Sequence, residues 1–456
     1  MKKLLFLMGM LTTSMSMMAQ ESLQPLETIY QKFSFTLFDK VAEDIDENVI
    51  FSPLSAQIAL SMLENGAGGN TLSEIREVLG TADYDMEQVN VYNQTLTKQL
   101  TYRPPYEWNP RWGQEEEDYK EFYDAQYPIC EIANGLWTRC GTPMHDSFLI
   151  ALRSYYEAET AQVDFGLQES IDQINRWVSE KTHQLIPSIL NEPNDDIWLL
   201  LANALYFKGS WSNPFSEVDT HVEPFHLTDG TSIDVDMMQQ SDNFKTTTTQ
   251  HFKTVTLPYG SGDFSMTIFL PIDEQAFPSL TYDDWQTAVS SSTNLYLKLQ
   301  MPKFSIEGEY NLKDILKELG ITDAFKTTAD FSNMTTKGGG IDQIFQCGKI
   351  IVDEKGTEAA AVTVIEATDC VPPEADETFV IDRPFYFTIE HNITHTLLFM
   401  GHMAYVQETN KSPNGINDRP IMSPTTRHQI YDLYGRLLQQ APSKGVYIQD
   451  GKKYVR

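Results

Sequence analysis

Residue types that carry out catalysis are present in this sequence, but their spacing forms no catalytic constellation. The sequence contains no GxSxG, no HExxH and no Gly-rich loop ending in GK[ST]. A phosphate cradle at Gly66–Gly69 is disfavoured because no Lys follows it, whereas Thr71 and Glu74 have the spacing of a capping box that opens a helix. The nine histidines are scattered without a ligand spacing. We therefore expect no metal, no cofactor and no enzyme, with a hydrolase as a weak alternative.

The four cysteines, Cys130, Cys140, Cys347 and Cys370, show no CxxC pair and no histidine at metal spacing. Cys130 and Cys140 flank one expected strand, which would hold them too far apart for a disulfide. The sequence therefore indicates neither a zinc site nor a disulfide framework.

Residues Thr357 to Ala367 have an alternating pattern that suits pairing as a β-strand. Read with period two, one face of this segment is small or apolar and consists of Thr357, Ala359, Ala361, Thr363, Ile365 and Ala367. The other face carries both charges and consists of Glu358, Ala360, Val362, Val364 and Glu366. Such a segment fits between two strands of a sheet, because its small face suits a crowded core and its acids stay in water. The alanines also favour helix, and a linker followed by a strand explains the stretch equally well.

Composition and charge restrict the function classes. The 456 residues include 64 acids and 33 bases, for a net charge of −31. A surface this acidic repels phosphate backbones and anionic lipid, so we expect no nucleic-acid and no membrane-surface binding. With 41% hydrophobic and 11% aromatic residues the chain is globular, and its length alone predicts two or three domains.

The two ends of the chain carry features of export. Residues 1–19 combine a basic start, an apolar run and Ala19 at a cleavage position, which predicts a signal peptide; an uncleaved anchor is disfavoured because the run is shorter than the roughly 20 residues of a spanning helix. We expect a protein secreted to the periplasm, the cell surface or the medium, with no transmembrane segment. Residues 408–426 read as a linker and 427–456 as a β-hairpin tail, which resembles the sorting tails of some Gram-negative secreted proteins; a plain hairpin is the alternative.

Periodicity between these ends predicts an α+β mixture. Helices are predicted at 26–42, 54–65, 72–80, 169–181 and 311–319. Strands are predicted at 131–138, 199–208, 252–258, 263–270, 295–305, 348–354, 378–389 and 395–406. Residues 101–129, rich in prolines, aromatics and acids, read as a long loop insertion, either functional or merely solvated.

Residues 26–407 resemble the serpin family of protease inhibitors. The matching motifs, in family order, are Asn48–Ser55, Ile132–Trp137, Leu201–Trp211, Met301–Ser305, Glu354–Ala361, Asp382–Phe385 and Asn392–Gly401. The resemblance implies one domain over 20–407, overriding the length-based prediction. It implies an α+β serpin fold with three β-sheets, eight to nine helices and an exposed reactive-centre loop.

The resemblance also implies a mechanism of inhibition. A target serine protease attacks the loop and forms an acyl-enzyme; the cut hinge then inserts into the central sheet and distorts the covalently held protease. By match, the hinge comprises Glu354, Gly356, Thr357, Glu358, Ala359, Ala360, Ala361 and Thr363. Its small residues favour inhibition, and the alternative is a non-inhibitory serpin-fold binding or surface protein. We expect a monomer apart from the covalent protease complex.

Family spacing places the reactive bond at Cys370–Val371, which suits an elastase-like protease. A loop one residue shorter would make it Asp369–Cys370 and suit an aspartate-preferring protease. Cleavage before Pro372 is disfavoured, because proline after the bond resists most serine proteases.

Control points are implied by match as well. Ser52, Ser55 and Asn175 correspond to the shutter beneath the central sheet, with Gln346 in place of the family's usual histidine. Trp211 corresponds to the family's entry point for the hinge, and Lys303 with Glu354 corresponds to the ion pair at that point. If exposed, this ion pair contributes only about 0–1 kcal/mol. Residues 83–100, where some relatives bind heparin, are acidic, so we expect no heparin binding.

Overall fold

The computed structural model describes residues 25–109, 115–273, 277–337, 339–357 and 375–409, with four short strands between 430 and 455. The predicted signal peptide and most of the predicted linker lie outside the described residues. The chain divides into two units, Met1–Gln407 and Glu408–Arg456. No helix in the described ranges is both long and apolar enough to span a bilayer.

The first unit contains nine α-helices among its described residues. They are α1 (25–41), α2 (Pro53–Glu64), α3 (Gly69–Leu79), α4 (Met86–Leu100), α5 (Glu116–Gln126), α6 (Asp146–Tyr156), α7 (Gln168–Lys181), α8 (Tyr282–Ser291) and α9 (Lys313–Leu319). Helix α2 begins where it does because the Ser52 hydroxyl accepts a hydrogen bond from the Ser55 amide and Pro53 needs no amide partner in the first turn. Helix α5 lies within the segment predicted as a loop insertion, so that segment is partly helical.

The predicted capping box at Thr71 and Glu74 is wrong. Helix α3 begins at Gly69, and both side chains bind another segment of the chain instead. The Thr71 hydroxyl donates to Asp323 at 2.6 Å, and the Glu74 carboxylate accepts from the Asp323 amide at 2.6 Å. The motif therefore holds α3 to a distant turn.

A nine-stranded sheet forms one layer of the first unit. Its strands are β1 (Val49–Phe51), β5 (His221–His226), β6 (Ser232–Thr248), β7 (Phe252–Tyr259), β8 (Phe264–Pro271), β9 (Thr293–Pro302), β13 (Glu377–Val380), β14 (Phe385–His391) and β15 (Thr396–Met403). The long strand β6 pairs with β7 through its last residues and with β9 and β5 through the rest. Two of the three sheets implied by the resemblance are thus joined by hydrogen bonds through β6.

The central sheet has six strands in the order β10-β11-β12-β4-β2-β3. They are β2 (Ile129–Arg139), β3 (Glu159–Val163), β4 (Leu199–Ser210), β10 (Phe304–Asn311), β11 (Gln343–Asp353) and β12 (Gly356–Thr357). Strand β4 is buried on both faces: Leu199 and Leu201 belong to the main core with α2, while Leu200 and Ala202 pack with residues of α7. The sheet therefore lies between α2 on one face and α7 on the other.

The part of the second unit that the structure describes contains four short strands instead of the predicted single hairpin. They are β16 (Ile430–Asp432), β17 (Leu437–Leu438), β18 (Val446–Gln449) and β19 (Lys452–Val455), and all their pairings are antiparallel. Strand β16 lies between β17 and β18.

Glu390 in β14 predicts a pH dependence of stability. It is buried beside α8, where its carboxylate accepts a hydrogen bond from Trp285 Nε1 at 2.7 Å, and burial raises its pKa to about 7. The folded state thus keeps a proton that the unfolded state releases above about pH 4.5, so this group lowers the free energy of unfolding as pH rises from 4.5 to about 7. The free energy of unfolding of Glu390→Gln, relative to that of the parent, should therefore rise by about 2 kcal/mol between pH 5 and pH 8. Urea unfolding at the two pH values measures this difference. An equal difference at both pH values would contradict this.

Candidate functional site

The first residues of the predicted hinge are already part of the central sheet. Strand β12 pairs with β11, Thr357 opposite Val352, and with β4, Thr357 opposite Gly209. The turn before it is held by the Asp353 carboxylate, which accepts from the Lys355 amide at 2.8 Å. The chain therefore reverses after β11 and begins an added strand between β11 and β4.

Gly356 is required at this turn by close packing and by its backbone conformation. Its φ is +150°, and an added Cβ would lie 2.1 Å from the Gly209 carbonyl oxygen. Because that neighbour is backbone of β4, it cannot move aside as a flexible side chain can. Any larger residue would push the start of β12 out of the sheet.

Thr357 is fully buried and hydrogen-bonded. Its hydroxyl lies 2.6 Å from the Tyr259 hydroxyl, and the Tyr259 ring stacks on Trp211 at 4.4 Å between centroids. Trp211 in turn donates from Nε1 to the Asp353 carbonyl at 2.9 Å. These contacts place Trp211 at the point where the hinge joins the sheet, and Tyr259 is a site residue that the sequence reasoning missed.

Glu354 and Lys303 form an ion pair at the same point, which we call the breach with Trp211, Tyr259 and Thr357. Lys303 Nζ lies 2.6 Å from Glu354 Oε1, and the Thr220 hydroxyl donates to the same oxygen at 2.7 Å. Burial opposes ionisation of Glu354, but the hydrogen bonds from Lys303 and Thr220 outweigh it and hold the pKa below its ordinary value. Glu354 is 4% exposed, so the pair is not the fully exposed one whose contribution would be near zero.

Loss of Lys303 should therefore destabilise the intact protein. In Lys303→Met the buried carboxylate of Glu354 keeps only one side-chain donor, so we expect a loss of about 1–2 kcal/mol in the free energy of unfolding. Chemical denaturation at pH 7 measures it. Lys349→Met is a matched control, because its partner Glu307 is 47% exposed and the loss should be well under 1 kcal/mol. Equal losses in both variants would contradict the assignment.

A gap separates β11 from β4 below the breach. The two strands pair directly, in parallel, only from Gln343–Gln346 on β11 to Leu200–Asn203 on β4. Among the described residues no ladder joins 347–351 of β11 to 204–208 of β4, although β12 bridges the strands immediately above. A small cavity beside this gap is lined by residues of α7, of the segment after it and of both strands, among them Trp177, Ile189, Ala204 and Cys347.

A buried polar cluster lies where direct pairing resumes. Gln346 Nε2 donates to the Ser52 carbonyl at 2.5 Å, and Asn203, opposite Gln346 in the register, donates to Asn134 Oδ1 at 2.6 Å. Ser55 is buried beside them in α2 and donates its amide to the Ser52 hydroxyl. We call this set the shutter.

The structure does not bring Asn175 into the shutter. Asn175 lies on α7, which covers the other face of the sheet, and its side-chain oxygen accepts from the amides of Ile189 and Leu190 at 2.9 and 3.0 Å. The asparagines of the shutter are Asn134 and Asn203, which the sequence reasoning missed. They lie in the family motifs Ile132–Trp137 and Leu201–Trp211. Strand alternation around Leu201 and Leu205 would have placed Asn203 on the α2 face.

A family model described as serpin (serine protease inhibitor) matches residues 28–406. The chain belongs to the serpin family. Human serpin B3 is 31% identical to this serpin over 389 residues, 82% of this chain and 97% of the relative. An uncharacterised serpin-like protein of Thermococcus kodakarensis is 30% identical over 400 residues, 86% and 88% of the two chains.

Solved serpin structures confirm the predicted α+β serpin fold. Native tengpin, a thermophilic serpin, superposes with a TM-score of 0.72 at 29% identity and covers 83% of this chain and 94% of its own. Human thyroxine-binding globulin, solved with its hormone, gives 0.72 at 26% identity over 84% and 99%. Members of this family are in general protease inhibitors and not enzymes.

The structure places the beginning of the hinge of this serpin and leaves the rest outside its described residues. Glu354, Gly356 and Thr357 are described, with the contacts given above. Predicted hinge residues Glu358, Ala359, Ala360, Ala361 and Thr363 lie in the undescribed range 358–374. The two alternative reactive bonds, at Asp369, Cys370 and Val371, lie there too. The hinge beyond Thr357 and the bond remain predictions.

Proposed function

We propose that this serpin is an exported suicide-substrate inhibitor of serine proteases, with an elastase-like protease as target. The observation that carries the proposal is the position of β12 at the head of the gap between β11 and β4. The hinge is already engaged there by Tyr259 and by both neighbouring strands. Cleavage in residues 358–374 frees the chain beyond Thr357 to continue the strand that β12 begins.

The register of β12 matches the length of the gap. Continued antiparallel from Thr357, residue 358 faces 351 on β11 and 208 on β4, and residue 362 faces 347 and 204. Residues 358–362 therefore fill the gap without breaking any existing pair. Insertion of Thr363 and beyond requires that Gln346 and Asn203 separate, which is the step that the shutter controls.

Side-chain size along this register suits insertion. Ala359 and Ala361 share the face of Thr357, which is packed against Tyr259 and the core, and both are small enough for a crowded interior. Val362 falls on the opposite face, on the side of α7, where the cavity lined by Ala204 and Cys347 provides apolar surroundings. This serpin thus has small residues where an inserted strand would need them.

Insertion is favoured strongly enough to drive inhibition. Roughly a dozen new ladder hydrogen bonds at about 1 kcal/mol each give a driving force on the order of 10 kcal/mol. The uncut protein is then kinetically trapped, and cleavage releases it. Serpin insertion is an established example of such stored strain. Because the protease is still an acyl-enzyme when the loop moves, it is carried along and distorted.

Incubation with an elastase tests the proposal. Residues 20–456 should form an SDS-resistant adduct with active elastase and none with elastase whose serine has been blocked beforehand. Mass spectrometry of the released C-terminal peptide then identifies the bond: a peptide that starts at Val371 supports the elastase assignment, and one that starts at Cys370 supports an aspartate-preferring target. Clean cleavage without an adduct would overturn inhibition and favour a non-inhibitory binding protein, a role for which thyroxine-binding globulin offers a structural parallel.

A further inference from the structure

The segment 101–109 with α5 forms an ordered aromatic cluster. Tyr123 is buried and meets Tyr106 edge to face at 5.3 Å, while Arg103 lies over the Tyr123 ring at 4.8 Å. Asp124 pairs with both Arg103 and Lys120, at 3.0 and 2.5 Å. These contacts fix the helix, so the surface it presents is pre-organised.

The outward side of α5 combines acids with an exposed aromatic ring. Helical spacing places Glu117, Asp118, Glu121 and Phe122 on one stripe, opposite the buried Tyr123, and all four are exposed, Phe122 by 54%. We call this stripe the α5 acidic face. Phenylalanine is enriched in the cores of protein interfaces, and the acids around Phe122 complement a basic partner.

The end of α5 is fastened beside the breach. The Gln126 carbonyl accepts from the Ser261 amide at 2.8 Å, and an added Cβ at Gly260 would lie 2.4 Å from that same carbonyl oxygen. Gly260 directly follows Tyr259, whose hydroxyl contacts Thr357. The end of α5 therefore lies near Thr357, the last described residue of the predicted hinge.

We propose that the α5 acidic face is an accessory docking surface for the basic surface of the target protease. This inference rests on the proposed function and names a contact outside the reactive bond. The end of α5 and Thr357 are both anchored at the breach. A protease that binds the residues following Thr357 would therefore come close to α5. The acids steer a basic protease into the encounter, and Phe122 anchors it, which raises the rate of association more than the final yield of adduct.

Charge neutralisation tests the docking surface with little effect on the fold. Glu117→Gln with Glu121→Gln, and separately Phe122→Ser, should lower the second-order rate of adduct formation with a basic elastase about 5–10-fold in 50 mM salt. The double variant should also flatten the salt dependence of that rate. The matched control is Glu77→Gln with Glu318→Gln, exposed acids on α3 and α9, which should leave the rate within about twofold.

The outcomes separate this inference from the proposed function. Stoichiometry of inhibition should stay unchanged in the α5 variants, because docking precedes insertion. An unchanged rate, an equal loss in the control pair or a changed stoichiometry would overturn the docking surface. If the parent forms no adduct, binding of elastase with its active-site serine replaced by alanine still tests the surface: parent affinity above that of the α5 variants supports it, and equal affinity overturns it.

Discussion

Thr357→Arg should convert this serpin from an inhibitor into a substrate. Thr357 is already buried against Tyr259 and β4 in the uncut protein, so arginine there would push β12 out of the sheet, and insertion would then have to begin by burying an unpaired charge. A barrier higher by about 3 kcal/mol slows insertion about a hundredfold, and deacylation then wins. The expected result with elastase is cleaved serpin, little or no SDS-resistant adduct, and a stoichiometry of inhibition raised tenfold or more.

The control for this variant is Thr36→Arg, an exposed threonine on α1. It should inhibit as the parent does. Circular dichroism and the unfolding midpoint of uncut Thr357→Arg report whether the fold survives. A fully active, folded Thr357→Arg protein would show that insertion does not pass through β12, and the proposed mechanism would be wrong.

Cleavage of the chain between 358 and 374 should raise the thermal midpoint by about 10 °C. An inserted strand adds hydrogen bonds to both β11 and β4. A gain on the order of 10 kcal/mol corresponds to about 1 °C per kcal/mol in a domain of this size, because its entropy of unfolding is about 0.8 kcal/mol/K. Differential scanning calorimetry of intact and nicked protein, with the cut located by mass spectrometry, measures the shift.

Cleaved Thr357→Arg serves as the internal control for that experiment. Its midpoint should rise much less, because the strand cannot begin normally at Thr357. Intact and nicked parent proteins that melt together would mean that no strand is added. Inhibition by insertion would then be excluded, and the non-inhibitory alternative would stand.

Local pattern predicted part of this fold: helices α1, α2, α3, α7 and α9 were expected, whereas α4, α5, α6, α8 and the long strand β6 were not. Strands β4 and β8 are mostly apolar and buried on both faces, helix α2 is buried along its whole length, and α7 has a clear apolar stripe. Helix α5 escaped the prediction because its residues are mostly polar or aromatic and its stability comes from Tyr123 and the Asp124 ion pairs. Such stabilisation depends on tertiary contacts that periodicity does not record.

The sequence predicted one part of the candidate site, the breach, better than the other part, the shutter. Trp211, Glu354 and Lys303 lie together as the family resemblance implied, but the shutter partners of Gln346 depended on register. A match along the chain placed Asn175 near the shutter, whereas the pairing of β4 with β2 puts Asn203 and Asn134 there. Which strand faces which is decided by sheet topology, and that information is not local in sequence.

In the proposed mechanism, the limited length of the gap between β11 and β4 divides insertion into a fast first stage and a slower second stage. At about 3.4 Å per residue, filling it with residues 358–362 would add about 17 Å of strand to the sheet without opening a pair between the described parts of β11 and β4. The next residue meets Gln346 and Asn203, whose side chains are tied to α2 and β2. In the proposed mechanism, hydrolysis of the acyl bond therefore competes with the opening of the directly paired segment, of which Gln346 and Asn203 are the first pair. The residues that set the rate of insertion thus lie some distance from the reactive bond. Substitutions at Asn134 or Asn203 should therefore change the fraction of protease that is trapped without changing which protease is recognised.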